Sequence, residues 1–233
     1  MIPTLNPKHL LQNLINHGDA YLARDHDGQM AGPLVGYPDT YTEDGEKKQY
    51  VGCIWFDIDK IVGYFRTEDF FARALIEEIF GNNLNPTMFL WFQNGRETIT
   101  NVLSNELNLP KSSFKEDKDS NLILHPDTLY KGSKVILVID VCRKFFYIDK
   151  MMDIVARHGA EVIAIVCMFN QSPSVNWRGV PILSALHMKE PVYRQDAFEI
   201  EELMKTYNIV WNPKEEASFL QKEMKKRNKQ SKN

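Results

Sequence analysis

Two apolar runs in the second half of the chain, residues 135–141 (VILVIDV) and residues 162–169 (VIAIVCMF), decide the fold class. Near-continuous runs of β-branched residues are typical of strands that helices cover on both faces, as in a parallel sheet. Between the runs, Ile148 and Met151 begin an apolar repeat at helical spacing, which ends before Gly159. The segment therefore predicts a βαβ unit with a right-handed crossover.

The flanking sequence extends this alternation. Residues 88–92 (MFLWF) predict a short buried strand, and residues 96–107 a helix after it. Residues 67–80 predict another helix, with Thr67 as its N-cap. Turn signals between residues 19 and 49 predict short antiparallel strands. We expect an α/β fold with a doubly wound, mainly parallel sheet and a small N-terminal β-rich hood.

Length and composition fit one such domain. The chain has 233 residues, of which 43% are hydrophobic and 25% charged, the balance of an ordinary globular protein. We divide it into a leading helix and hood (1–60), an α/β core (61–211) and a C-terminal basic helix or tail (212–233). The sequence contains no apolar run near the roughly 20 residues that a membrane helix needs, and no export signal is visible at its start, so we expect a cytoplasmic protein without membrane contact.

Net charge is −3, but the basic residues are unevenly distributed. The last twelve residues hold six cations: Lys222, Lys225, Lys226, Arg227, Lys229 and Lys232. The acidic remainder argues against a general nucleic-acid surface, so we expect any contact with RNA or DNA only through this basic tail. The alternative is that the tail is a solvated helix end.

Polar residues follow the predicted strands where a parallel sheet opens its binding crevice. Asp140 ends the run VILVIDV, where it can hold a ribose hydroxyl or Mg²⁺-bound water, or simply cap the next helix. Arg143 and Lys144 come at the start of that helix, where backbone N–H groups favour an anion such as phosphate; the alternative is an exposed basic turn. Asn94 and Gly95 precede another helix and can present backbone donors to a second phosphate.

The order of these elements resembles that of the type I phosphoribosyltransferases, most closely their orotate phosphoribosyltransferase-like branch. The resemblance covers nearly the whole chain, from the leading helix through residues 32–37 (GPLVGY) and the Asn94-Gly95 loop to the strand that ends in Asp140. It implies transfer of a 5-phosphoribosyl group from phosphoribosyl pyrophosphate (PRPP) to a nitrogen of an orotate-like or pyrimidine-type base, with Mg²⁺ as cofactor and pyrophosphate released. No metal bound by protein ligands alone is expected; Mg²⁺ arrives with PRPP, and Asp140 is its possible protein contact.

The family's PRPP motif has two adjacent acids, two variable residues, two threonines and two glycines, and only Asp140 matches it fully. Ile139 replaces the first acid, and Phe145-Phe146 replace the glycines whose bare backbone admits the 5-phosphate. Arg143 and Lys144 replace the threonines and can still make charge-assisted contacts. The pyrophosphate loop corresponds to three residues here: Asn94, Gly95 and Arg96.

The resemblance also implies a mobile lid and a base pocket. Residues 109–129 form a polar stretch that fits a lid; it contains Lys111, Lys115 and Lys118, and the resemblance implies Lys115 and Lys118 as candidate catalytic residues beside Asp140. In the hood, three aromatic residues are candidate base contacts: Tyr37, Trp55 and Phe56.

Two functional hypotheses follow. In the first, the chain is a divergent phosphoribosyltransferase. In the second, it is a catalytically inactive homologue that serves as a nucleotide-binding or regulatory subunit, because charge does not replace the backbone approach that Phe145-Phe146 remove. The resemblance further implies a homodimer, or a heteromer with a paralogue.

Overall fold

The structure is a computed structural model, and it describes residues 7–25, 27–61, 63, 65–92, 97–118, 121–124 and 128–230. The chain divides into two compact units. The first comprises Met1–Ile61 and Glu190–Asn233, and the second comprises Val62–Lys189. Residues 190–211, which we predicted as part of the α/β core, thus belong to the unit that contains the hood.

The first unit is built from both ends of the chain. Its N-terminal elements are α1 (Pro7–His17), β1 (Ala20–Leu22), β2 (Leu34–Glu43), β3 (Glu46–Gly52), β4 (Ile54–Phe56) and α2 (Ile58–Ile61). Its C-terminal elements are β12 (Val192–Arg194), α6 (Phe198–Met204), β13 (Ile209–Val210) and α7 (Ala217–Gln230). The long hairpin β2–β3 has β12 along one edge and β13 along the other, and β1 pairs with β4.

The basic C-terminal segment is part of this unit rather than a free tail. Leu220 and Met224 on α7 are buried in the same core as Val35 and Val51 of the hairpin. Arg227 donates hydrogen bonds to the carbonyls of Ala23 (3.1 Å) and Leu22 (2.8 Å). Because its guanidinium has two carbonyl acceptors, Arg227 is part of the folded unit. Helix α7 is therefore attached to this unit at least as far as Arg227.

The second unit contains the α/β sheet. Its elements are α3 (Phe65–Gly81), β5 (Met88–Phe92), α4 (Glu97–Leu107), β6 (Lys111–Glu116), β7 (Leu122–Leu124), β8 (Lys134–Cys142), α5 (Phe146–Arg157), β9 (Glu161–Asn170), β10 (Asn176–Trp177) and β11 (Val180–His187). The strand order is β10-β11-β9-β8-β5-β6-β7, and the five central strands are parallel. The predicted doubly wound, mainly parallel sheet is confirmed.

The apolar runs form the centre of this sheet, as predicted. Val135–Val138 on β8 and Ala164–Phe169 on β9 are buried, and Ile148, Met151 and Val155 on α5 pack over one face. The β-branched side chains fit the pleated surface and the helices exclude water from it, which explains the near-continuous hydrophobic sequence.

Three local predictions need correction. Residues 111–116, predicted as part of a lid, are strand β6, whose backbone pairs with β5 on one side and β7 on the other. Helix α3 begins at Phe65, so Thr67 lies inside it and is not the N-cap. The last helix begins at Ala217, because residues 213–216 form a turn before it.

Candidate functional site

The strand order of the second unit places a crevice at one point of the sheet. The parallel strands run β6-β5-β8-β9-β11, so the chain order reverses between β5 and β8. In open α/β sheets, ligands bind outside the carboxyl ends of the strands at such a reversal. Here those ends are Phe92 and Cys142. Residues 93–96, which include Asn94, Gly95 and Arg96, lie outside the described residues.

Asp140 lies on β8 two residues before its end and is half-buried. Successive side chains on a strand point to opposite faces, so Asp140 shares a face with Val138 while Ile139 packs against the apolar core of the other face. The one acid that matches the family's pair is therefore at the crevice end of the central strand. Ile139, in place of the other acid, is used for packing.

Arg143 is held in place by the neighbouring strand. Its Nε donates to Oε1 of Gln171 over 2.7 Å, and the backbone N–H of Gln171 donates to the carbonyl of Cys142 over 2.8 Å. Gln171 is 1% exposed, and among the described residues its Nε2 has no hydrogen-bond partner. A buried donor without an acceptor is costly, so the Nε2 group is available to a bound water or ligand.

The turn that carries Gln171 is rigid. Asn170 Oδ1 accepts hydrogen bonds from the backbone N–H (3.0 Å) and the hydroxyl (2.7 Å) of Ser172, and Asn170 Nδ2 donates to the carbonyl of Ser174 (2.8 Å). A ring nitrogen of His187, at the end of β11, lies 3.0 Å from the carbonyl of Ser172. These bonds fix the Gln171 backbone and, through it, the side chain that orients Arg143. In the sequence, residues 170–172 are a polar stretch after an apolar run, and nothing there assigns Gln171 a role.

Helix α5 starts directly after Arg143 and Lys144. Its N-cap position is Phe145, which makes no side-chain hydrogen bond to the helix. The side chain of Phe145 thus caps none of the backbone N–H groups of the first turn. These groups lie at the positive end of the dipole of a twelve-residue helix. Together with Arg143 and the half-buried Lys144, they form a site that favours an anion.

The two phenylalanines that replace the family's glycines have different surroundings. Phe145 packs against the core and stacks on Trp177, with 3.9 Å between ring centroids. Phe146 is 62% exposed, and Nζ of Lys150 lies 4.3 Å from its ring centroid. Only the second ring is thus largely exposed at the start of α5.

Another aromatic contact lies at the crevice itself. Tyr147, in the first turn of α5, stacks on Phe92 at the end of β5, with 5.1 Å between centroids and 26° between ring planes. This contact joins the end of β5 to the start of the helix that follows β8. It gives the crevice an aromatic wall that the sequence alone did not reveal.

The predicted catalytic lysines lie on the other side of β5. Lys115 is exposed on β6, and Lys118 is exposed in the hairpin turn between β6 and β7. Lys111, at the start of β6, donates to Glu97 Oε1 (2.9 Å) and lies over the ring of Trp91. Their catalytic roles were implied by a lid that strand β6 replaces in part, and they stay a prediction.

Cys142, at the end of β8, is fully buried. Its hydrogen bond with the Cys167 thiol lowers the pKa of Cys142, whereas burial raises the pKa of Cys167 well above its ordinary value. Since neither thiol reaches the surface, both are packing residues of the core.

The first unit contains a pocket of about 400 Å³, within the size range of small-molecule sites. It is lined by Gly36, Pro38, Gln49, Trp55, Phe56, Asp57, Ile58, Asp59, Trp211, Asn212, Pro213, Lys214 and Glu215. Two of the three predicted base contacts, Trp55 and Phe56, are therefore in one pocket. Tyr37 is not among the lining residues: it is 1% exposed, and its hydroxyl donates to the carbonyl of Ile54 (2.8 Å), so it holds the hairpin to β4.

Trp211 reaches this pocket because of strand register. β13 pairs in parallel with β2, with Val210 opposite Val35, so Trp211 comes next to Gly36. A Cβ on Gly36 would lie 3.0 Å from Cε3 of Trp211 and 3.1 Å from its carbonyl oxygen. A side chain at position 36 would push residue 211 away by a few tenths of an ångström, so glycine suits this close approach. In the sequence, Trp211 is one of several aromatic residues that can stack a base or pack the core, and nothing there places it in this pocket.

The described residues also bear on the kind of site. They contain no group of three or more His, Cys, Asp or Glu side chains arranged to hold a metal ion. None of the helices formed by those residues combines the length and apolar character required to cross a bilayer.

Comparison with solved structures identifies the fold. Adenine phosphoribosyltransferase from Thermoanaerobacter pseudethanolicus superposes with a TM-score of 0.53 at 14% identity, covering 66% of this chain and 94% of that one. Orotate phosphoribosyltransferase from Aeropyrum pernix gives 0.54 at 16% identity, covering 77% and 94%. Adenine phosphoribosyltransferase from Leishmania tarentolae gives 0.53 at 16% identity, covering 78% and 89%.

No protein-family model matches the sequence, and no curated protein matches it significantly. At these identities the structural similarity establishes architecture. The chain has the fold of the type I phosphoribosyltransferases, as the resemblance implied.

Proposed function

We propose that this chain, having the type I phosphoribosyltransferase fold, binds PRPP at the carboxyl end of its parallel sheet and transfers the 5-phosphoribosyl group to a nucleobase-like acceptor. The observation that carries the proposal is the position of Arg143. Its guanidinium is fixed by the buried Gln171 beside the uncapped start of α5, on the loop that directly follows Asp140 and β8.

These groups suit a phosphorylated sugar. Arg143 and the first-turn N–H groups of α5 would hold the 5-phosphate by charge-assisted hydrogen bonds. Asp140 would accept hydrogen bonds from a ribose hydroxyl and favour positive charge that develops on the sugar as its bond to pyrophosphate breaks. The new bond joins the anomeric carbon to a ring nitrogen of the base, whose proton is lost to solvent, while pyrophosphate leaves with the bonding electron pair.

These residues fit a Mg²⁺ ion that binds together with PRPP rather than one that protein ligands hold alone. Mg²⁺ is usually held by one or two carboxylates together with substrate phosphates, and Asp140 is the carboxylate at this strand end. When bound, the ion neutralises charge on the pyrophosphate.

Calorimetric titration with PRPP and Mg²⁺ tests the proposal. We expect saturable binding that the Asp140→Asn variant weakens by about tenfold or more, because a charged hydrogen-bond acceptor is lost. Asp153→Asn is the matched control, since Asp153 is an exposed carboxylate on α5 that pairs with Arg178 (2.7 Å). Release of pyrophosphate in the presence of a base would establish turnover. Absence of binding at millimolar PRPP would overturn the proposal.

A second candidate function is a non-catalytic, nucleotide-binding or regulatory subunit. The observation that favours it is the replacement of an acid by Ile139 and of a glycine by the exposed Phe146. In that case we expect binding of a ribose 5-phosphate compound without pyrophosphate release. We also propose a dimer, with itself or a paralogue; a monomer by light scattering, alone and after mixing with candidate paralogues, would contradict this.

A further inference from the structure

The pocket of the first unit carries a net negative charge, which favours some nucleobases over others. Its charged lining residues are Asp57, Asp59, Lys214 and Glu215. Lys214 donates a hydrogen bond to Asp59, and Asp57 accepts one from Nζ of Lys60 at 3.0 Å. Among the described residues around the pocket, both of these cations are therefore already paired with a carboxylate. Glu215 adds a further negative charge, so the pocket is net acidic.

One uncharged polar residue, Gln49, also presents an acceptor. Its Nε2 donates one N–H to the carbonyl of Tyr37 over 3.0 Å, which leaves the amide oxygen as an acceptor and the second N–H as a donor. Asp57 is 5% exposed and lines the pocket beside it. A ligand that donates hydrogen bonds is thus matched to this lining. A ligand that carries a carboxylate meets net negative charge, and the one cation among the described lining residues, Lys214, is already paired with Asp59.

Two indoles supply surfaces for a planar ring. Trp55 is half-buried, and Trp211 is 37% exposed and held close to the backbone of Gly36. Both line the pocket. Indoles with part of their surface open to a cavity provide area for a flat heterocycle at little entropic cost, because the rings are already fixed.

We infer that this pocket binds an uncharged or cationic nucleobase that carries an exocyclic amino group, such as adenine or cytosine, and excludes carboxylated bases such as orotate. This inference rests on the proposed function for the role of the base as acceptor. It narrows the orotate-like or pyrimidine-type acceptor expected from the resemblance.

The test is calorimetric titration of the full chain with adenine, cytosine and orotate, each with and without PRPP and Mg²⁺. We expect adenine or cytosine to bind at least about tenfold more tightly than orotate, the difference that one charge-assisted hydrogen bond or one uncompensated charge makes. Glu215→Lys should reduce this preference about tenfold by adding a cation to the lining. Glu216→Lys is the matched control, because Glu216 is exposed, adjacent and outside the lining.

Trp211→Ala gives a second variant that does not depend on charge. Trp211 is partly exposed at the end of a two-residue strand, so its loss should leave the fold intact while it weakens amino-base binding about tenfold. Tighter binding of orotate, equal binding of all three bases, or no binding of any base in either condition would overturn the inference. Base binding without PRPP binding would support it and contradict the proposed function, so the two failures are distinguishable.

Discussion

The ring of Phe145 lies face to face with the indole of Trp177, with 3.9 Å between centroids and 5° between planes. The same indole donates from Nε1 to Oδ1 of Asp149 over 2.7 Å. Trp177 therefore holds both the residue before α5 and a carboxylate in the helix's first turn. One side chain on β10 thus makes two contacts that help to position the start of α5, which we propose as the phosphate site.

Replacing Trp177 tests this dependence. We expect Trp177→Ala to lower the free energy of unfolding by about 3 kcal/mol, since it removes a large side chain packed on the core. Trp177→Phe keeps an aromatic ring for Phe145 and should cost about 1 kcal/mol, the value of one hydrogen bond. Urea denaturation gives both numbers. Equal losses in the two variants would show that the stacking contributes nothing.

Substituting glycine at the two phenylalanines separates packing from backbone access. Phe146→Gly should cost about 1 kcal/mol of unfolding free energy, as glycine does within a helix, and should strengthen PRPP binding by opening the backbone to phosphate. Phe145→Gly should cost about 3 kcal/mol through loss of its packing. Calorimetry with PRPP and urea denaturation measure these effects. Unchanged or weaker PRPP binding by Phe146→Gly would mean that the exposed ring does not obstruct phosphate.

Removing the partner of Arg143 tests whether Gln171 acts as a positioning residue. We expect Arg143→Gln to weaken PRPP binding by about tenfold to a hundredfold, because a charged donor to phosphate is lost. Gln171→Leu should weaken it about tenfold while the free energy of unfolding stays within about 1 kcal/mol of wild type, because the substitution also removes the orphaned Nε2.

Arg157→Gln, at the far end of the same helix, is the control and should bind PRPP like wild type. A merely structural role for Gln171 would leave the salt dependence of PRPP binding unchanged in Gln171→Leu. If Gln171 positions Arg143, the salt dependence should fall in both site variants. If Gln171→Leu binds normally, Arg143 does not need this partner.

Asp19 gives a prediction about pH. Burial raises the pKa of its carboxyl above the usual 3.8, against smaller lowering effects of His17 and Lys60. The folded state therefore binds the proton more tightly than the unfolded state, and stability falls as the pH rises from about 3.8 through the folded pKa.

Asp19→Asn removes this ionisation, so we expect it to raise the free energy of unfolding at neutral pH and to have less effect at about pH 4. Urea denaturation at the two pH values measures the difference. A variant that is destabilised at neutral pH would show instead that the charged carboxylate makes a favourable interaction in the folded protein.

The sheet was predictable from sequence to the extent that its strands are covered on both faces. The run in β9 is apolar throughout and the run in β8 is apolar except for Asp140, and their bounds agree with the structure to within one or two residues. Strand β6 (KSSFKE) was not predicted, because it contains no β-branched residue. Its strand conformation comes from backbone pairing with β5 and β7. The pattern of side chains in the sequence does not show such pairing.

The candidate site shows the same limit. The positions of Asp140, Arg143 and Lys144 at a strand end and helix start followed from periodicity. The Arg143–Gln171 bond did not, because it joins residues from adjacent strands that are 28 positions apart. The position of Trp211 in the pocket was likewise not predictable, since β13 has two residues and its register with β2 is decided by the fold.

The parallel pairing of β13 with β2 also sets an order on synthesis. Leu34 and Val35 pair with Ile209 and Val210, so this edge of the hairpin has to wait until residues 209 and 210 have left the ribosome. The second unit, Val62–Lys189, is continuous and has all its strands available earlier. We therefore expect nascent chains that stop before residue 209 to contain a folded α/β unit and an incomplete hood, so that a stop introduced before residue 209 abolishes the first unit and spares the second.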